Sequence, residues 1–365
     1  MSNYYNPVNV IQTNKWSDEL LKNIKALKMD NPLVVTSPGN YKRLKLKTII
    51  NTDAIYSFPG SNPTFDDCDD IIKYCKGKDF DGVIAIGGGS PMDLAKLAMA
   101  YLSIGKESVI SLIGYKDDFP LHVPSIFIPT THGTGSEVTM WGTIWNMTEK
   151  KKYSISHPSL YPDIAILDGN LTLTLPLDTS IITILDALSH SFEAIWNKNA
   201  NEVSTSFAID AIVLIINNVE KLKSDPLNLE LRNKILLASN YAGLAFSNTK
   251  TAAAHSISYP LTIHFGIPHG IASSITLIPL LDINKDSFKE PLDIILNKLG
   301  MNIEELKHAI NSIPESIIPF DLSGWGITKD QIPKIVKESF TTGRMDNNIF
   351  SLKGFNIHSI LSEIH

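Results

Sequence analysis

A short run of strand character, residues 81–86 (DGVIAI), breaks into Gly87-Gly88-Gly89-Ser90-Pro91 and continues as a helical pattern over 92–102. This junction constrains the fold more than any other feature. A buried strand that ends in glycines and opens a helix is the core of a parallel βαβ unit. Three further runs behave as short buried strands: residues 32–36 (PLVVT), 125–129 (SIFIP) and 164–167 (IAIL). From Leu177 the texture changes. Leu185, Leu188, Phe192 and Ile195 recur at helical spacing, and residues 206–219, 229–245 and 332–340 also read as helices. The expected architecture is an α/β nucleotide-type domain over residues 1–178, followed by an all-helical domain over 179–365.

Composition sets limits on function. At 365 residues, 43% hydrophobic and 19% charged, the chain can bury a large core. That excludes intrinsic disorder, a collagen-like fibre and a disulfide scaffold. A net charge of −6 argues against a surface that holds nucleic acid electrostatically. Cys68 and Cys75 lie in a polar stretch without a CxxC, so they read as reduced thiols of a cytoplasmic protein. The start of the chain lacks the basic and apolar regions of a signal peptide. The longest unbroken apolar runs fall short of the ~20 residues a membrane span needs.

Two turns suit phosphate. Glycines at 87–89 let backbone N–H groups approach an anion, and the following helix adds its dipole. Asp93 is expected in the first helical turn, where that dipole favours an acid. The segment is not the GxGxxG fingerprint; it also suits a plain, well-capped strand-to-helix turn. A second small-residue loop runs from Pro129 through Thr130, Thr131, His132, Gly133, Thr134 and Gly135 to Ser136 and Glu137. Its hydroxyls could line a cofactor, or simply close a hydrogen-bonded loop.

Asp186 and His190 stand four apart on a predicted helix and share a face. With His255 and His269 they make one carboxylate and three imidazoles, a donor set suited to Fe(II) or Zn(II) with an open position. Spacing alone also allows a surface Asp–His pair and two core histidines.

Taken together, the segments 87–93, 129–137, 185–190 and 268–270 resemble the iron-containing (group III) alcohol dehydrogenases in order and interval over nearly the whole chain. The resemblance implies an N-terminal dinucleotide-binding α/β domain and an all-α metal-binding domain, the dehydroquinate synthase-like fold. It implies a divalent metal on Asp186, His190, His255 and His269. NAD(P)H is implied on Ser37, Gly87, Gly88, Gly89, Ser90, Asp93, Thr130, Thr131 and Thr134, with Asn62 and Lys152 as further contacts. A homodimer or larger homo-oligomer in the cytoplasm, acting on a small aldehyde or alcohol, is also implied. Three positions depart from the family pattern. His132 stands where a small residue is usual. Tyr259 replaces a second histidine of the proton relay, which makes it a candidate donor beside His269. Ser37, followed by Lys42 and Arg43, stands where an acid often repels a 2′-phosphate, so NADP(H) is not excluded.

A narrower resemblance, carried by residues 245–251, 255–270 and 343–348, is to phosphonoacetaldehyde reductases, which form 2-hydroxyethylphosphonate in phosphonate biosynthesis. It implies cationic or polar substrate contacts, for which Lys250, His264, Arg344 and His132 are the candidates. Rival readings are a generic small-alcohol dehydrogenase of the same family, a dehydroquinate synthase-like lyase, and a non-catalytic cofactor-binding homologue.

Overall fold

The computed structural model describes residues 3–50 and 54–365. Internal contacts divide the chain into two units, one holding residues 6–131 and 136–172 and the other 3–5, 132–135 and 173–365.

The first unit carries eight strands among its described residues: β1 (Asn9–Gln12), β2 (Pro32–Thr36), β3 (Ile55–Ser57), β4 (Gly82–Gly87), β5 (Ser125–Pro129), β6 (Trp141–Asn146), β7 (Lys151–Ser156) and β8 (Ile164–Leu167). Its helices are α1 (Trp16–Ala26), α2 (Pro38–Arg43), α3 (Leu46–Ile49), α4 (Phe65–Cys75), α5 (Gly89–Ile104) and α6 (Val109–Ile113). Six strands pair in parallel in the order β1–β8–β5–β4–β2–β3, and β6 and β7 form a separate antiparallel hairpin. β2, β4 and β5 are buried at every position, as strands covered on both faces must be. Their side chains alternate. Leu33, Val35, Val83, Ala85 and Phe127 join one apolar cluster with α4 and α5. Val34, Ile84, Ile86, Ile126 and Ile128 join another with Leu20 of α1 and Leu46 of α3.

Strand order positions the nucleotide turn. The chain steps outward from β2 to β3, then returns to lay β4 on the other side of β2. Connections leaving the carboxyl ends of β2 and β4 therefore depart in opposite directions. Open α/β sheets bind ligands at such a switch point. Gly87 ends β4 there, in register with Pro129 of β5.

Two local expectations change. α5 begins at Gly89, so Asp93 falls in its second turn rather than its first. There the carboxylate accepts from Ser136 at 3.3 Å instead of capping the helix. Cys68 and Cys75 are not in a polar environment. They share the inner face of amphipathic α4 with Ile71 and Ile72. Both are free thiols, and burial pushes Cys75 up to about 12, which removes thiolate reactivity at neutral pH.

The helical unit holds α7 (Leu177–Ile195), α8 (Glu202–Ser224), α9 (Leu229–Thr249), α10 (Ala253–Phe265), α11 (His269–Ser274), α12 (Leu277–Asn284), α13 (Lys289–Leu299), α14 (Ile303–Ser312), α15 (Ile332–Glu338) and α16 (Gly354–Glu363). α8 is long and apolar enough to cross a membrane by length and composition. It packs against α7, α9 and α13, with half of its apolar stretch buried, as a central helix of the bundle does. Counting unbroken apolar runs missed it because Asp210 and Asn217 interrupt the run.

The first unit also buries a lysine. Lys96 of α5 is fully enclosed and donates to Ser136 Oγ at 2.9 Å, Thr139 Oγ1 at 3.0 Å and the Trp141 carbonyl at 2.8 Å. Burial pulls its ammonium down, and Asp93 and Glu137 oppose that pull. Lys96→Met keeps the bulk but strands these partners in the interior. It is expected to cost roughly 3 kcal/mol or more in denaturant unfolding; a loss under about 1 kcal/mol would show that the ammonium does not tie α5 to the 136–141 segment.

Candidate active site

In the helical unit, α7, α10 and α11 converge on one buried carboxylate. Asp186 and His190 lie a turn apart on α7, both buried. Ligand atoms of Asp186, His255 and His269 all lie within 4.8 Å of one another. His190 adjoins them: its Nδ1 is 4.0 Å from Asp186 Oδ2, and its ring stacks on His255 at 4.4 Å. Phe246 of α9 stacks on the other face of His190 at 4.0 Å. α11 can reach this cluster because residue 270 is glycine. A Cβ there would stand 2.0 Å from the Ile182 carbonyl of α7 and force the helices apart.

The donor set fits a divalent transition metal. His190 Nδ1 and His255 Nε2 are buried and make no hydrogen bond among the described residues. His255 Nε2 lies 3.5 Å from Asp186 Oδ1 without hydrogen-bond geometry. Orphaned imidazole nitrogens around a buried carboxylate are costly unless a cation satisfies them. Charge in the cluster runs the same way. Burial pushes the Asp186 carboxyl up, but the neighbouring imidazoles hold it well below the ordinary carboxylate range. Burial, opposed by Asp186, lowers His190 to about 4 and favours the neutral imidazole a metal requires.

Sequence reasoning missed the residues around this cluster. Glu193 is fully buried. Its Oε1 accepts the His255 backbone N–H at 3.0 Å and its Oε2 meets His255 Nδ1 at 2.5 Å. That contact puts the Nδ1 proton toward the carboxylate and leaves Nε2 bare on the cluster side. Ser273 donates to Asp186 Oδ1 at 3.0 Å. Glu193 was findable: it stands three after His190 and seven after Asp186, on the same helix face.

The predicted cofactor residues gather in the first unit, except Thr134, which belongs to the helical unit. Gly87 and Gly88 link β4 to α5, and a Cβ on Gly88 would press on Thr131 at 3.1 Å. Thr130 N–H donates to the Gly87 carbonyl at 2.9 Å, and Thr130 Oγ1 accepts from Asn40 at 3.3 Å. Ser37 caps α2 by accepting the Asn40 N–H. Asn62, with φ 53°, donates its N–H to Ser90 Oγ at 3.1 Å. Asp93 receives the Thr143 backbone N–H and feels the charge of Lys152. Arg43, read as a 2′-phosphate candidate, is engaged by the Leu171 carbonyl at 2.8 Å and by Asn40 at 2.7 Å, whereas Lys42 is exposed.

The substrate candidates separate. His132 belongs to the helical unit. His132 is fully buried against Thr183, so its ring offers no surface to a substrate in this conformation. Neither of its ring nitrogens is hydrogen-bonded among the described residues, and burial, aided by Arg232, lowers it to about 3. His264 Nε2 pairs with Glu338 at 2.5 Å, which neutralises it as an anion contact. Arg344 lies over the Tyr259 ring at 5.2 Å, and Tyr259 stands one turn beyond His255 on α10. Lys250 is exposed at the end of α9.

Comparison with known proteins gives two family matches. Residues 7–169 match the iron-containing alcohol dehydrogenase model, and residues 180–365 match the C-terminal model of the Fe-containing alcohol dehydrogenase family. The chain is 30% identical over 351 residues to long-chain-alcohol dehydrogenase 1 of Geobacillus thermodenitrificans, covering 90% of this chain and 87% of that one. It is 32% identical over 210 residues to phosphonoacetaldehyde reductase of Streptomyces viridochromogenes, covering 56% and 53%. The crystal structure of sulfoacetaldehyde reductase from Bifidobacterium kashiwanohense in complex with NAD+ superposes with a TM-score of 0.92 at 27% identity, over 100% of this chain and 98% of that one.

Two outcomes are expected. Glu193→Gln keeps an acceptor for the His255 backbone N–H but turns an amide N–H toward Nδ1, which favours the wrong tautomer. Metal affinity, read by chelator competition, should fall roughly 10- to 100-fold; unchanged affinity would contradict the orienting role. In the metal-free protein, His190 and His132 stay neutral down to about 4 and about 3. The unfolded chain protonates both near pH 6.5, so it binds more protons between pH 6.5 and 5. His255, shifted upward by Glu193 and Asp186 against its burial, and Asp93, raised by burial to about 6, favour proton binding in the folded state and so offset part of that difference. The melting temperature should therefore fall as pH drops through that window, and a flat profile would contradict the burial of neutral imidazoles.

Proposed function

The chain belongs to the iron-containing alcohol dehydrogenase family, oxidoreductases that act on CH–OH groups, and from that premise we propose that it reduces phosphonoacetaldehyde to 2-hydroxyethylphosphonate with NADH or NADPH. The observation that carries the substrate is the guanidinium of Arg344 against Tyr259, one helical turn past a histidine of the metal cluster. An arginine fork suits a tetrahedral oxyanion.

A divalent metal on Asp186, His190, His255 and His269 would supply Lewis acidity at the aldehyde oxygen, and a reduced nicotinamide the hydride. The chain's own groups do the rest. Backbone N–H groups of residues 87–90 hold the nucleotide's phosphates, and Thr130 and Thr131 border them. Glu193 fixes the His255 ring. Phe246 covers His190 and keeps water from that face. Burial pushes the Tyr259 phenol to about 12 despite Arg344 beside it, so the proton stays on its oxygen at neutral pH and is available to the nascent alkoxide. Sulfoacetaldehyde offers a similar tetrahedral oxyanion and is the nearest competing substrate.

Asp186→Ala should lose bound metal and aldehyde reduction together; full activity in a metal-free variant would refute the site. Arg344→Ala should raise KM for phosphonoacetaldehyde roughly tenfold or more and change propionaldehyde far less. Equal losses would remove the anion argument. Stoichiometric consumption of NADH or NADPH with aldehyde separates this reading from a lyase, which returns its cofactor unchanged.

A further inference from the structure

Lys96 carries a fully enclosed charge, yet its three N–H groups meet three neutral acceptors: Ser136 Oγ, Thr139 Oγ1 and the Trp141 carbonyl. An ammonium taken out of water is expensive, and apolar packing holds a loop at lower cost. The charge therefore has a task beyond bracing. The carboxylates that feel it are Asp93 and Glu137. Glu137 is buried, whereas Asp93 is partly exposed and within reach of a ligand.

A hydroxyl connects the two. Ser136 Oγ accepts from Lys96 at 2.9 Å and donates to Asp93 Oδ1 at 3.3 Å. From β6 the Thr143 backbone N–H reaches the same carboxylate, and from β7 Lys152 adds its charge. Cys68 of α4 faces it as a neutral thiol. β6 lies this close because residue 142 is glycine: a Cβ there would stand 3.0 Å from the Asp93 carbonyl oxygen. Burial pushes the Asp93 carboxyl up, and Lys96 is the largest of the pulls that bring it back down. One turn earlier on α5, Gly89 and Ser90 open the helix at the proposed phosphate turn. We infer that Lys96 is a positioning residue for the cofactor: its buried ammonium aims the Ser136 hydroxyl at one oxygen of Asp93 and keeps that carboxylate an acceptor for a hydroxyl of the bound dinucleotide. Ribose hydroxyls are donors that an ionised carboxylate holds more tightly than a neutral acid does. Lys96 is enclosed and acts through Asp93 rather than on the cofactor itself. This inference rests on the dinucleotide reading above.

The test is a fluorescence titration of the metal-loaded protein with NADH, or with NADPH where the parent binds it more tightly. It compares the parent with Lys96→Met, Ser136→Ala and Asp93→Asn, and with each of the first two in the Asp93→Asn background. At about pH 7, Lys96→Met should weaken binding roughly tenfold or more. Raising the pH to about 8.5 should restore most of that loss, because a carboxyl deprived of its cation ionises at higher pH. The parent should stay flat over the same range. In the Asp93→Asn background, Lys96→Met should cost less than about twofold, since its effect passes through the carboxylate. Where Lys96→Met does not fold, Ser136→Ala decides: it should weaken binding several-fold with Asp93 present and leave it unchanged in the Asp93→Asn background. Unchanged affinity, a loss that pH does not restore, or equal losses in both backgrounds overturns the inference and leaves Lys96 a brace alone. A parent that binds neither dinucleotide overturns the cofactor reading instead.

Discussion

The buried carboxylate of Asp186 is the constraint on which the helical unit turns. A carboxylate removed from water costs free energy unless cations or donors replace its hydration. Here Ser273 gives one hydrogen bond, and the imidazoles of His190, His255 and His269 surround the rest. Those rings come from three helices, so compensating the charge requires α7, α10 and α11 to pack closely. Gly270 makes that packing possible, because any side chain at 270 collides with the Ile182 carbonyl.

The compensation extends outward in layers. Glu193 is itself a buried carboxylate, satisfied by the backbone and ring of His255. Phe246 of α9 seals the outer face of His190. In the other unit, the buried Lys96 donates to Ser136 and Ser136 donates to the partly buried Asp93, a chain that braces the 136–141 segment against the helix that opens at the nucleotide turn. In both units a polar group that water cannot reach fixes a loop next to chemistry.

Much of this was legible in the residues. The buried strands β2, β4, β5 and β8 declared themselves as short apolar runs, and the glycine turn marked the βα junction that the strand order places at the switch point. Edge strands β1 and β3 did not, because they are short and half-exposed and carry no apolar run. The cluster Asp186, His190, His255 and His269 could be suspected from donor chemistry, but only tertiary packing brings residues 65 or more apart to one point. Glu193 and Lys96 were passed over because charged residues on apolar helices look like exposed ones until burial is seen. Asp93 was misassigned by a single turn, since glycines at 88 and 89 let the helix start earlier than Pro91 suggested.

The central claim is that one cation sits among these four side chains. Anomalous diffraction from crystals of the metal-loaded protein, collected on either side of the iron and zinc absorption edges, tests it most directly. The account predicts a single strong peak per chain, within about 2.0–2.3 Å of a carboxylate oxygen of Asp186 and a ring nitrogen each of His190, His255 and His269. A peak elsewhere, or none in protein that reduces aldehydes, would contradict it.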